Sequence, residues 1–88
     1  MKTIWKYKLD NKPEMMPEGS QFLDAQMQNG CMCVWFLVDT TKPMINRDIR
    51  VYMTGEQLTD DNGKHVSTVQ ADGFVFHVFD FGENENKL

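Results

Sequence analysis

QFLDAQMQNGCMCVWFLVD, residues 21–39, carries at its centre the dipeptide Asn29-Gly30 between two apolar-patterned runs. Asn-Gly supplies the two positive-φ positions of a type I′ turn, whose twist matches that of paired antiparallel strands. As a two-residue loop it dictates the register on either side. Gln28 then faces Cys31, Met27 faces Met32, Ala25 faces Val34 and Leu23 faces Phe36. The face holding Met27, Met32, Ala25, Val34, Leu23 and Phe36 is apolar on both strands, as a core face requires.

The other face of the same hairpin is uneven. Phe22 lies opposite Leu37, but Asp24 is set against Trp35 and Gln26 against Cys33. One strand is thus apolar on both sides and its partner on one only. This predicts that residues 31–38 form a central strand, its second face covered by the chain's own N-terminal strand or by a second subunit.

Outward from the hairpin, alternation with period two dominates. In residues 3–9, Trp5, Tyr7 and Leu9 share one face and Lys6, Lys8 and Asp10 the other. That is a half-buried strand with lysines guarding its solvent side. Residues 11–20 contain Pro13, Pro17 and Gly19 and read as an extended connection with a turn, in which Met15 and Met16 are expected to cap the core or to form a short edge strand. In residues 45–53, Ile45, Ile49, Val51 and Met53 share a face. Arg47 interrupts that row and is expected at the rim with its head group in water. Asp48, Arg50 and Tyr52 point the other way. Residues 55–64 (GEQLTDDNGK) form a polar loop in which Asp61-Asn62-Gly63 suits a turn or a single helical turn.

A second hairpin turns on Asp72-Gly73, pairing Val69 with Phe76, Thr68 with His77, Val66 with Phe79 and His65 with Asp80. Its last strand, FVFHVF, is apolar on both faces and should also be central. No segment sustains a 3.6-residue apolar period. The expected fold is all-β, mainly antiparallel, with five to six strands in a small sandwich or partly open barrel. Residues 1–81 form the one domain, and residues 82–88 a polar tail.

The 88 residues carry a net charge of −4, with nine scattered Lys and Arg against thirteen Asp and Glu. Duplex-binding proteins gain most of their affinity from a basic face that displaces counterions, so neither DNA nor RNA is an expected partner. A basic protein partner, or simple solubility, suits the balance better. Cys31 and Cys33 on one strand would stand about 7 Å apart, too far for an ordinary disulfide. The first residues, MKTIWK, hold no apolar leader core and no stretch is apolar enough to span a membrane, so the expected location is the cytosol.

Candidate chemistry is sparse. Cys31, Cys33, His65 and His77 are the possible soft metal ligands, but one residue between cysteines is shorter than zinc modules use, and no metal or other cofactor is expected. Both cysteines lie among Met, Val and Trp, where burial raises a thiol's pKa rather than activating it. There is no nucleophile elbow, phosphate-binding glycine loop or His-Glu-x-x-His. Asp60-Asp61-Asn62-Gly63 lacks the alternating acids and distal glutamate of a calcium loop. A catalytic role is therefore not expected.

What remains is surface. Trp5, Trp35 and Tyr52 are candidates for an exposed aromatic patch of the kind enriched at interfaces, although Trp5 and Trp35 packing together across adjacent strands explains them equally. Self-association satisfies either reading. A second class of function, capture of a signalling nucleotide, would draw on Arg47, Arg50, Lys42 and Tyr52 as convergent basic and aromatic groups.

The opening MKTIWKY, the stretch MPEGSQFLDAQMQNGCMCVWFLVD, the Thr54-Gly55 step and the ending STVQADGFVFHVFD together resemble a family of small bacteriophage and prophage proteins bearing a domain of unknown function. The resemblance runs in order over nearly the whole chain. It implies expression in a bacterial host's cytoplasm and carries over no functional residue. Where relatives follow the Thr-Gly step with a His-Pro-rich loop, this chain has Glu56, Gln57 and Leu58. The expected function is that of a non-enzymatic accessory protein, homo-oligomeric, binding a host or phage macromolecule and so acting against a host defence system; a minor virion component is the other role the gene class allows.

Overall fold

The computed structural model describes residues 1–10 and 12–84. Among them the type I′ turns are formed as the dipeptides demand: φ is 51° at Asn29 and 80° at Gly30, and 53° at Asp72 and 83° at Gly73. Seven strands follow from these and the remaining punctuation: β1 (Lys2–Lys8), β2 (Glu14–Pro17), β3 (Gln21–Gln28), β4 (Cys31–Asp39), β5 (Met44–Met53), β6 (Lys64–Ala71) and β7 (Phe74–Asn84). They pair antiparallel in two sheets, a three-stranded one of order β1-β4-β3 and a four-stranded one of order β2-β5-β7-β6. The sheets pack face to face without closing into a barrel. Met32, Val34, Phe36, Val38 and Ala25 from the first meet Met16, Ile49 and Val78 from the second. The fold is the all-β sandwich expected from alternation, with β2 as an additional short strand.

β4 and β7 are internal to their sheets, as their two-sided apolar rows predict. β1 does not lie over β4's second face, however; it hydrogen-bonds beside it. Trp5 is registered with Phe36, and Lys6 with Trp35. Directly opposed residues share a face, so Trp5 points toward the core side and Trp35 outward. The two tryptophans cannot pack together. Trp35 is half-buried instead beneath Lys6, whose Nζ is 5.8 Å from its ring centroid.

Both predicted hairpin registers hold near their turns and slip farther out, each at one extra residue. In β3–β4 the slip lies between Phe22 and Asp24, so Phe22 rather than Leu23 opposes Phe36. The Phe22 ring meets Phe36 edge-on at 5.5 Å, and Leu23 is left exposed. In β6–β7 the slip lies between His65 and Ser67. His65 therefore opposes Phe79, and Lys64 takes the place beside Asp80 predicted for His65. A bulge satisfies the core on both sides of itself by re-aiming one strand.

Arg47 also departs from expectation. Its side chain is only 12% exposed and turns between the sheets. Nε and NH2 donate to the two Asp80 carboxylate oxygens at 3.1 and 2.8 Å, NH1 donates to the Ser20 carbonyl at 2.8 Å, and the guanidinium lies 5.4 Å from the Phe36 ring centroid. A planar fork saturated on both edges can be taken from water where a lysine could not. Gly82, Glu83 and Asn84, assigned above to the tail, continue β7. Gly82 takes φ 89° at a third irregularity, which brings Glu83 opposite Arg47. Residues 85–88 of that tail lie outside the described residues. The loop after β5 contains no helical turn; Asp60 accepts the Asn62 N–H at 3.0 Å there.

Candidate functional site

β5 is ten residues long, but β2 pairs only with its first part, from Pro17 opposite Met44 to Glu14 opposite Arg47. Pro13 stands immediately before β2 and donates no N–H to extend the ladder. Residues 48–53 therefore pair with β7 on one side only. Which backbone groups face the free side follows from one bond. Thr54 N donates to the Val75 carbonyl, so Thr54, Tyr52 and Arg50 turn their backbone groups toward β7. By alternation Ile49, Val51 and Met53 turn theirs away. Met53 satisfies its own through Glu56: its N–H donates to the Glu56 carboxylate at 2.9 Å and its carbonyl accepts the Glu56 N–H at 3.0 Å. Ile49 and Val51 have no such partner among the described residues. Their edge opens into a cleft of about 300 Å³ lined by Leu9, Lys12 and Pro13.

The outward face of the same strand is the second half of the site. Arg50 grips Asp48 in a bidentate pair, with Nε–Oδ1 at 3.1 Å and NH2–Oδ2 at 2.8 Å, reaches toward Asp60 at 3.9 Å and lies 4.0 Å from the Phe81 ring centroid. Hydrogen bonding to Asp48, and then to Tyr52, pushes its pKa up, so the guanidinium stays charged at any working pH. Tyr52 is buried against Phe79 in a T-shaped contact at 5.7 Å, and His65 packs on Phe79 from the far side at 5.5 Å. A chain of side-chain hydrogen bonds crosses the sheet beside them. Thr54 Oγ1 and His77 Nε2 are 2.8 Å apart, His77 Nδ1 and Thr68 Oγ1 3.3 Å, and Thr68 Oγ1 and His65 Nε2 2.8 Å.

This chain places a hydroxyl beside an imidazole at the distance a nucleophile and base require. The group behind His77, however, is Thr68, a neutral hydroxyl that does not stabilise an imidazolium as a carboxylate would. The arrangement is well suited to holding two histidine rings in fixed orientation on an aromatic surface.

Of the six residues singled out in the sequence, the structure brings Tyr52 and Arg50 together on this face. Trp35 lies on the outer face of the other sheet, and Trp5, 36% exposed, on the inward side of edge strand β1. The three aromatics thus form no common patch. Arg47 is engaged between the sheets, and Lys42 sits in the turn before Pro43, at the opposite end of β5 from Arg50. The basic groups proposed for nucleotide capture therefore do not converge. Cys31 and Cys33 belong to the three-stranded sheet and His65 and His77 to the four-stranded one; no group of three or more His, Cys, Asp or Glu among the described residues is placed to hold a metal ion.

Sequence reasoning misses Phe79 and Phe81 and weighs His65 and His77 only as metal ligands. The available signal is FVFHVFDF itself, whose two apolar rows the sequence reading assigns to a central strand and not to a binding face. Among the described residues no helix is long and apolar enough to cross a membrane. No curated protein and no solved structure matches the chain. A family match covers residues 1–87, and the chain belongs to the family described as "Domain of unknown function (DUF7352)".

Proposed function

We propose that this is a non-enzymatic accessory protein of a bacteriophage or prophage, acting in the cytoplasm of a bacterial host by binding a protein through the outer face of its four-stranded sheet. One observation carries the reading. Where a solvent-facing sheet surface would normally alternate to polar residues, this one carries Phe79, Phe81, His65 and His77 around the held guanidinium of Arg50, with Tyr52 buried against Phe79 beneath them. Aromatic rings and arginine are the residue types that concentrate binding energy at protein interfaces. The rim, with Asp48 and Asp60, and the net charge of −4 favour a partner that is basic at its contact. A component of a host defence system fits that description as the target of a small phage protein.

The test uses the tagged full chain to isolate partners from host extract, followed by affinity measurement with the purified partner. Phe81→Ala removes the ring under Arg50 and should weaken binding at least tenfold, while Trp35→Ala, on the opposite sheet, should leave it within twofold; circular dichroism confirms that both fold. Loss of binding on changing Trp35 but not Phe81 would move the contact to the other sheet and end this reading.

A further inference from the structure

β5 and β6 are both antiparallel to β7, one on each side of it, so they run parallel to each other. A connection between parallel strands cannot turn back at one end as a hairpin does; it has to return the length of the sheet. Residues 54–63 make that return, from the Met53 end of β5 to Lys64, which stands opposite Asp80. Their contacts place the path over the outer face. Leu58 lies beside Phe79 and His77, Asp60 reaches toward Arg50 at 3.9 Å, and Gly63 rests on Phe81 so closely that an added Cβ would stand 2.6 Å from its ring. This strap, with Phe79, accounts for Tyr52, which is only 9% exposed although its face is turned away from the core.

Between strap and sheet lies a hollow of about 220 Å³ whose walls include Tyr52, Thr54, Glu56, Leu58, His77 and Phe79. The polar side chains around it are already engaged. Thr54 Oγ1 is bonded to His77 Nε2 and His77 Nδ1 to Thr68, Glu56 accepts the Met53 N–H, and Tyr52 is bonded to Arg50. The surface left to an occupant is mostly carbon. Larger hollows differ in kind. One around Asp48, Arg50, Asp60 and Glu83, of about 390 Å³, and one around Arg47, Lys64 and Asp80, of about 650 Å³, are lined mainly by polar groups. The cleft beside β5 has open backbone groups to satisfy.

Size then selects the occupant. A cavity of about 150 Å³ holds a benzene-sized ring, whereas whole small-molecule ligands need roughly 300 Å³ or more. A hollow between these values takes one side chain. Carbon walls and satisfied polar groups favour an aromatic or branched aliphatic one, because a polar head would find no partner there. Charge selects what flanks it. Residues 54–63 include Glu56, Asp60 and Asp61 and no Lys or Arg, so a peptide crossing the strap gains from cations on either side of its anchor.

We infer that the hollow between this strap and the outer face of the four-stranded sheet receives one apolar side chain of a protein partner, flanked in the partner's sequence by lysine or arginine. The inference rests on the outer face being the binding face and adds what enters it.

Nuclear magnetic resonance titration of the full chain with a short peptide, phenylalanine at its centre and lysines on both sides, should shift the Leu58 methyl and His77 ring signals first. Exchanging the phenylalanine for alanine, or the lysines for glutamates, should weaken binding at least tenfold. Leu58→Lys sets a cation at the mouth and should do the same with an unchanged circular dichroism spectrum, since Leu58 is 40% exposed and outside the core. Equal binding by the alanine peptide would reveal a contact of charge alone and overturn the inference; so would the absence of shifts at Leu58, or full peptide affinity in Leu58→Lys. Should that variant not fold, the peptide series decides. A host partner weakened by Phe81→Ala and untouched by Leu58→Lys would keep the proposed function and remove only this pocket. Peptide capture at Leu58 by a chain that draws no partner from host extract would do the reverse.

Discussion

Arg47 and Asp80 show how a single residue pair can be invisible in sequence and decisive in structure. They stand 33 positions apart, yet their side chains are 12% and 10% exposed and bidentate. Asp80→Asn leaves a guanidinium between the sheets with only Glu83, 3.7 Å away, to balance it. Urea denaturation should show a loss of about 3 kcal/mol, the lower end of the cost of breaking a buried pair. The double change Arg47→Met, Asp80→Leu should cost less than the single one. Tyr7 predicts the opposite sign. Its hydroxyl is buried with no hydrogen-bond partner among the described residues, and burial, with the Glu14 charge adding to it, pushes the phenol pKa up. Tyr7→Phe removes an unsatisfied group while keeping the ring on Phe36, and should raise stability by roughly 1 kcal/mol. Asp39 sets a pH dependence. The Thr41 hydroxyl and then its backbone N–H, bonded at 2.6 and 3.0 Å, hold its carboxyl down to about 2 from 3.8, the N-terminal ammonium assisting. Between these values the unfolded chain binds more protons at this site than the folded one. Its stabilisation is therefore complete above the unfolded value and is lost as pH falls toward about 2. Carboxyl chemical shifts should titrate with that midpoint, and Asp39→Asn should abolish the dependence.

At the scale of elements, local chemistry determined what the sequence disclosed. Asn29-Gly30 and Asp72-Gly73 need left-handed backbone at both positions, and this requirement is written in two letters each. Gly30→Ala, placing a Cβ at φ 80°, should cost about 1–2 kcal/mol by thermal or chemical denaturation, even though nothing lies within 4 Å of the added atom. The strand-wide alternation likewise placed β4 and β7 inside their sheets. The bulges left no such mark. At Leu23 the extra residue follows Phe22, and either could serve the core; at Val66 it falls between two polar residues, His65 and Ser67, so in both places only the opposing sheet decides which side chain turns inward. The candidate site was half-legible for the same reason. Arg50 and Tyr52 stand out as residue types on one face of a strand, whereas the free edge beside them depends on where β2 stops.

At the scale of the molecule, the two sheets divide the labour. The three-stranded sheet ends in a lysine-guarded edge and supplies most of the closed core. The four-stranded sheet carries the aromatic face and the unguarded edge of β5.

Amide hydrogen exchange along β5 tests this arrangement most directly. The backbone geometry predicts that Arg50 and Tyr52, bonded to β7, are protected, and that Val51 between them, whose N–H turns away from β7, exchanges quickly. Val51 protected as strongly as Arg50 and Tyr52 would contradict the account.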